Sequence, residues 1–331
     1  SGGAYARDAF TPRKGRHPSG GPDRPEVALG TIRRIAAALA LAVLFGSCQE
    51  PPAPASTGER LSDLGTVRRG VVIAAAGDIA CGGEPCEGQI GTARLIRRID
   101  PRAVLTLGDN QYPDGEYADF LASYDPTWGA FLDITRPAPG NHDYHVEGAA
   151  GYFRYFGRRA HRRAGGYYSF DLGRWHLLAL NSGPGSISDA QLAWVREDLR
   201  ADGHVCELAY WHHPRWSSGS QHGSDEDLAA LWGVLHEEGV DVVLNGHEHN
   251  YERFARMDPT GRPDASGIRQ FVVGTGGRSH YGFGDPIRGS QARIAGRFGV
   301  LRMVLRPRGY EWAFVAVGGA VLDRGRARCH G

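Results

Sequence analysis

The chain has 331 residues, enough for one large domain or two small ones, and its 38 Lys and Arg against 37 Asp and Glu leave a formal net charge of +1. So even a balance gives no electrostatic reason to expect a nucleic-acid partner. Glycine is abundant at 48 residues and methionine scarce at 2, which reflects a GC-rich coding sequence more than a structural demand.

Residues 1–30 are rich in Gly, Pro and Arg without an apolar period, so they read as disordered or as an over-extended gene start. Residues 31–48 follow with Arg33-Arg34, an apolar run from Ile35 to Phe45, the small pair Gly46-Ser47, and Cys48. A charged start, a short apolar core and a small-residue end make a secretory signal, too short to span a bilayer comfortably. With Cys48 directly after the small pair it resembles a bacterial lipoprotein signal, although Phe45 stands where that pattern usually has Leu. A lipid on Cys48 would anchor the protein to a membrane; in the alternative, cleavage nearby discards Cys48. The expected location is extracytoplasmic, cell-surface or secreted. Residues 49–69, with "PPAPASTGER", read as a flexible tether, and 70–331 as one catalytic domain.

Export changes how the cysteines read. Cys81, Cys86, Cys206 and Cys329 make an even set for an oxidising compartment. Cys81–Cys86 is the favoured bridge because its loop, "CGGEPC", is short and rich in Gly and Pro. Cys206–Cys329 would then tie the C-terminus to a sheet.

From Val71 onward strands and helices alternate. "VVIAAAGD" is an apolar run ending in Gly-Asp, a helix follows near Gln89 to Arg98, and "AVLTLGDNQY" repeats the first form. "ITRPAPGNHDY" leads to a third such loop. "GGYYSFDLGRWHLLALNS" reads as a hairpin turning at Leu172-Gly173. "SDAQLAWVREDLRAD" is a helix capped at Ser188 or Asp189. "ELAYWHHP" is a strand, "SDEDLAALWGVLHEEG" a helix closed by Gly239, and "VDVVLNGHEH" another strand. Short strands with Gly-rich turns fill Ile268 to Gly325. This order predicts an α/β protein with two mixed sheets and helices outside.

Potential metal-binding side chains recur wherever an apolar run stops: Asp78; Asp109 and Tyr112; Asn141, His142 and Asp143; His212 and His213; His247 and His249. Any one of them is weak, since a lone Asp after Gly is usually a turn and a lone His a satisfied polar residue. Five in order, each behind a strand, can meet at the carboxyl ends of an α/β sheet.

The series GD … GDxxY … GNHD … HHP … GHxHxYER resembles the calcineurin-like metallophosphoesterases, and within them the purple acid phosphatases, from Val71 to about Gly277. The resemblance implies a four-layer α/β/β/α sandwich with two metal ions bridged by a shared aspartate and a hydroxide. Most calcineurin-like enzymes open with Asp-x-His; here Ala80 replaces that histidine, and Tyr112, three residues after Asp109, matches the tyrosine of the purple acid phosphatases. Its bland alternative is a packed loop aromatic before Pro113. A phenolate is a hard anionic donor suited to iron(III). The resemblance thus gives Asp78, Asp109, Tyr112 and His249 to a first ion, iron(III), and Asp109, Asn141, His212 and His247 to a second, zinc, manganese or iron(II).

The implied reaction is hydrolysis of small phosphomonoesters by attack of a metal-bridging hydroxide on phosphorus, with a histidine as general acid. His142, with Asp143 beside it to orient the ring, ranks first as that acid, and His222, ten residues past His212, second. His142 and His213 are the expected substrate contacts, while the remaining histidines receive no role. Tyr144, Trp211, Trp216 and Tyr251 read as pocket walls or as packing, and Glu252 with Arg253 as a structural pair. A phosphodiesterase on the same ions is the near alternative, and a catalytically silent metal-binding protein a further one. An amide hydrolase would show His-x-His-x-Asp-His, whereas Asn250-Tyr251-Glu252 follows His249. No protein partner is inferred.

Overall fold

The first strands form where β-branched and small apolar residues run without interruption. β1 (Val71–Ala76) and β2 (Ala103–Leu107) pair in parallel, joined by helix α1 (Glu87–Ile99). Leu95, Ile96 and Ile99 give α1 its buried stripe, Arg97 and Arg98 oppose the dipole in its last turn, and it ends on Asp100 in the left-handed conformation. After β2 a short helix α2 (Tyr117–Asp119) runs into a wider turn over Phe120–Tyr124 and leads to β3 (Thr135–Ala138), parallel to β2. Helix α3 (Ala150–Phe156) then leads to the hairpin of β4 (Tyr168–Leu172) and β5 (Trp175–Ala179), whose turn falls at Gly173-Arg174, one residue later than the sequence indicates.

Ser188 caps α4 (Asp189–Ala201) by accepting the N–H of Gln191, and β6 (Cys206–Tyr210) follows, parallel to β5. The next helical stretch is a 3-10 turn at Glu226–Leu228 continued by α5 (Ala229–Glu237), and it closes at Gly239 with φ of 87°. β7 (Val242–Asn245), β8 (Tyr251–Met257), β9 (Ile268–Val273), β10 (Ser290–Ile294), β11 (Gly299–Arg306), β12 (Gly309–Ala316) and β13 (Val321–Arg328) complete the strands. The order is β13-β12-β11-β1-β2-β3 in one sheet and β10-β8-β9-β7-β6-β5-β4 in the other.

These ranges come from a computed structural model that describes residues 58–330 apart from 66, 68, 162–164, 185 and 186. All of them belong to one unit spanning Glu50–Gly331. The expected disordered stretch 1–30, the signal 31–48 with Cys48, and the first part of the tether lie outside the described residues. Its later part is not free chain: Leu61 N–H donates to Gly319, Val321 N–H to Glu59, and Arg324 pairs with Glu59.

Alternation along the second sheet sorts its side chains into two cores. Leu177, Leu208, Leu244, Phe271 and Val273 face the first sheet, where they join Ile73, Leu105 and Met303 in one cluster. Leu178, Ala209, Val243 and Val272 point the other way and pack with Val195 and Leu199 of α4 and Leu231, Trp232 and Leu235 of α5. Each fully buried aliphatic or aromatic side chain here contributes about 2 kcal/mol. The result is the expected four-layer sandwich. Disulfides join Cys81 to Cys86 and Cys206 to Cys329. No described helix is long and apolar enough to cross a membrane.

Candidate metal centre

β1, β2, β3, β6 and β7 each deliver a polar loop at the carboxyl end, and all five loops meet. Asp78, Asp109, Tyr112, His212 and His249 are almost wholly buried there. Three residues at the junction, Asp78 (φ 61°), Asp109 (φ 46°) and His247 (φ 70°), hold the left-handed conformation. That costs about 1–2 kcal/mol at each, the kind of strain that gathers at functional sites. Gly246 is required by closeness: a Cβ on it would lie 2.7 Å from Asp78 Oδ2.

Two groups of donor atoms share one carboxylate. In the first, the Tyr112 hydroxyl lies 3.0 Å from Asp78 Oδ1, 2.7 Å from Asp109 Oδ2 and 3.1 Å from His249 Nε2, with His249 Nε2 3.2 Å from Asp78 Oδ1. In the second, His212 Nε2 lies 3.3 Å from Asp109 Oδ2, 3.1 Å from Asn141 Oδ1 and 3.1 Å from His247 Nδ1. Metal bonds of about 2.0–2.2 Å place neighbouring ligand atoms roughly 3 Å apart, so both groups fit a cation. His212 is aimed by donating its Nδ1–H to the Leu107 carbonyl at 2.9 Å, and His249 by Ser279 Oγ at 2.7 Å from its Nδ1.

The charges tell the same story. Burial and the carboxylates of Asp109 and Asp78 push the Tyr112 phenol well above its usual value. Burial opposes charge on Asp109, yet the adjacent His212 holds its carboxyl far below the ordinary range. Burial pushes His212 down, but the Asp109 charge lifts it to about 9. Burial and the neighbouring His212 and His213 push His247 far down. Carboxylates, a phenol and imidazoles pressed together in this way are satisfied simultaneously by cations among them.

Three histidines border the cluster, His142 beside Tyr112 and both His213 and His222 beside His247. His142 donates Nδ1–H to the Pro113 carbonyl at 2.5 Å, stacks obliquely on Tyr112 with ring centroids 4.2 Å apart, and turns Nε2 inward, 4.0 Å from Asp109 Oδ2. His213 has Nδ1 2.9 Å from Ser182 Oγ, and burial pushes it down to about 3. The His222 ring lies 4.1 Å from that of His247, and burial lowers it against the pull of Glu248. A cleft of about 560 Å³ opens beside His213, His222 and His247.

Several expectations need correction. Asp143 does not orient the His142 ring: its Oδ2 accepts N–H groups from Gly140 and Asn110, and burial with the Asp109 charge raises it to about 7. Glu252 and Arg253 do not pair; Glu252 holds Ser218 and Ser290, while Arg253 binds Asp323. Of the two readings left open for Trp211 and Tyr251, pocket wall or packing, burial gives packing: both are core residues, fully buried. Ser279, Glu248 and Tyr281, which stacks on His249 at 4.0 Å, were not singled out from the sequence. Only Glu248 carried a signal, its place inside "GHEH".

A family model described as calcineurin-like phosphoesterase matches residues 71–251. Among curated proteins the chain is similar to purple acid phosphatase 15 of Arabidopsis thaliana, 30% identical over 54% of this chain and 40% of that protein. It is likewise similar to purple acid phosphatase 21 of the same plant, 28% identical over 62% of this chain and 50% of that one. It spans half or less of these relatives' length. Among solved structures it resembles the purple acid phosphatase PPD1 of yellow lupin, with a TM-score of 0.61 at 19% identity over 78% of this chain and 53% of that one. GAP50 of Plasmodium, described as the anchor in the inner membrane complex, aligns with a TM-score of 0.58 at 15% identity over 80% and 90%.

Proposed function

The chain belongs to the calcineurin-like phosphoesterase family, on its purple acid phosphatase-like branch, and on that premise we propose that it hydrolyses small phosphomonoesters outside the cytoplasm. The observation that carries the reading is Asp109 Oδ2, which stands 2.7 Å from one donor group and 3.3 Å from the other and so can be shared by two ions. Asp78, Asp109, Tyr112 and His249 would hold iron(III); Asp109, Asn141, His212 and His247 would hold zinc, manganese or iron(II). When bound, such a pair supplies positive charge for phosphate oxygens and lowers the pKa of a water.

The chain's own residues do the rest. His142 commits Nδ1–H to a carbonyl, so Nε2 is the ring atom left facing inward, and it holds a phosphate oxygen when the ring carries its second proton. His213, fixed by Ser182, lines the cleft as a second contact. His222 borders the open cleft through which a leaving group departs, which favours it over His142 as the proton donor, the reverse of the ranking drawn from the sequence. Disulfides in both cysteine pairs support an oxidising location, and Cys48 remains the proposed lipid anchor.

The test compares p-nitrophenyl phosphate with bis(p-nitrophenyl) phosphate on purified protein of measured metal content. Two ions per chain and faster monoester turnover are expected. Faster diester turnover moves the assignment to a phosphodiesterase, and a metal-loaded chain that cleaves neither ester leaves the silent metal-binding reading.

A further inference from the structure

Glu248 stands between the paired histidines of "GHEH", is wholly buried, and belongs to neither donor group. Its side chain runs instead beneath the loop that bears His222. Oε1 accepts two successive main-chain N–H groups, from His222 at 2.5 Å and Gly223 at 2.7 Å. The loop closes tightly on the carboxylate: a Cβ on Gly219 would lie 2.1 Å from its carboxyl carbon. Oε2 is just as buried and takes no hydrogen bond from the described residues.

A carboxylate is a costly group to bury, and charge-assisted bonds from main-chain N–H groups are what offset the cost. Successive N–H groups form an anion-binding concavity that a neutral side chain fills less well. The loop is also held at its other end, where Glu252 accepts from Ser218 N at 2.7 Å and Ser218 Oγ at 2.5 Å. Glu252 therefore fixes where the loop begins, and Glu248 fixes where His222 stands over His247.

We propose that Glu248 is the positioning residue for His222. One turn would then carry two metal donors and, between them, the strut that sets the proton donor's place. The consequence for turnover rests on the phosphatase reading; the positioning itself does not. An alkyl ester needs a proton on its leaving oxygen, whereas p-nitrophenolate departs without one, so displacing His222 is selective.

The experiment uses the full chain with Glu248→Ala and Glu248→Gln, followed by amide exchange, metal content and turnover. Glu248→Ala should speed exchange at residues 217–224 by about tenfold or more, and Glu248→Gln should restore most of the protection. Glu248→Ala should slow glycerol phosphate hydrolysis by about a hundredfold yet change p-nitrophenyl phosphate turnover by less than roughly threefold, with metal content kept. In a His222→Asn background Glu248→Ala should cost nothing further on glycerol phosphate. Unchanged exchange, equal losses on both esters, loss of metal, or full additivity with His222→Asn overturns the proposal. If Glu248→Ala does not fold, Glu248→Gln is read alone, with a smaller loss of the same selectivity expected and an equal loss on both esters overturning it. A metal-loaded wild type that cleaves neither ester removes the phosphatase reading, and the exchange arm still decides the positioning.

Discussion

At Tyr112 a phenol meets two carboxylates and an imidazole. Its neighbours Asp78 and Asp109 penalise the phenolate, and only a cation among them reverses that penalty. Ala80, where most of the family has a histidine, is wholly buried, and on the proposed assignment Tyr112 would supply the donor that Ala80 lacks. Tyr112→Phe protein loaded with metal should lose any visible absorption band and part of its iron while keeping its fold; retained colour with full iron content contradicts the assignment. Residues of this kind were legible because donor types recurred directly after apolar runs. Asp143 and Glu252 were not. Their partners, Asn110 and Ser218, lie 33 and 34 residues away, and which one a carboxylate meets is set by the backbone path between strands.

Among the elements, α1 and α4 were legible from their 3.6-residue period, and β1, β2 and β7 from unbroken apolar runs. β8 was not, because a register shift between Arg253 and Arg256 breaks the alternation that would mark a strand. α3 hid for a different reason: no side chain caps it, and it begins on Ala149 with φ of 50°. His176 ties three elements together, with Nδ1 2.8 Å from Asp171 on β4 and Nε2 2.8 Å from Asp198 on α4. Burial lowers this ring, but its bonds to Asp198 and Asp171 and the nearby Asp202 charge lift it to about 9. A folded pKa above the unfolded one stabilises fully below the unfolded value, about 6.5, and the benefit fades as pH rises through about 9. Because Asp171 is largely exposed, the effect is on the order of 1 kcal/mol. The melting temperature of the wild type should therefore fall more between pH 7 and pH 10 than that of His176→Gln; parallel curves would show that the ring is not charged in the fold.

For the whole molecule, the two bridges do different things. Cys206–Cys329 closes a loop with a sequence separation of 123, Cys81–Cys86 one of 5. Loop-closure entropy makes the long bridge worth about 4–5 kcal/mol and the short one much less. Cys329→Ser should thus lower the melting temperature well beyond Cys81→Ser, and equal shifts would contradict that ordering. The sandwich was legible from the order of strands and helices, whereas the pairing of β1 with β11 was not, since all of the chain between Ala76 and Gly299 intervenes and only the packed sheets select that partner. On the proposed function, activity depends on loops from both sheets closing around a pair of cations. Anomalous diffraction from crystals of metal-loaded protein tests this most directly: the account predicts two ions per chain, both in contact with Asp109, one also held by Tyr112 and His249 and the other by Asn141, His212 and His247. A single ion, or two with Asp109 bound to neither, contradicts it.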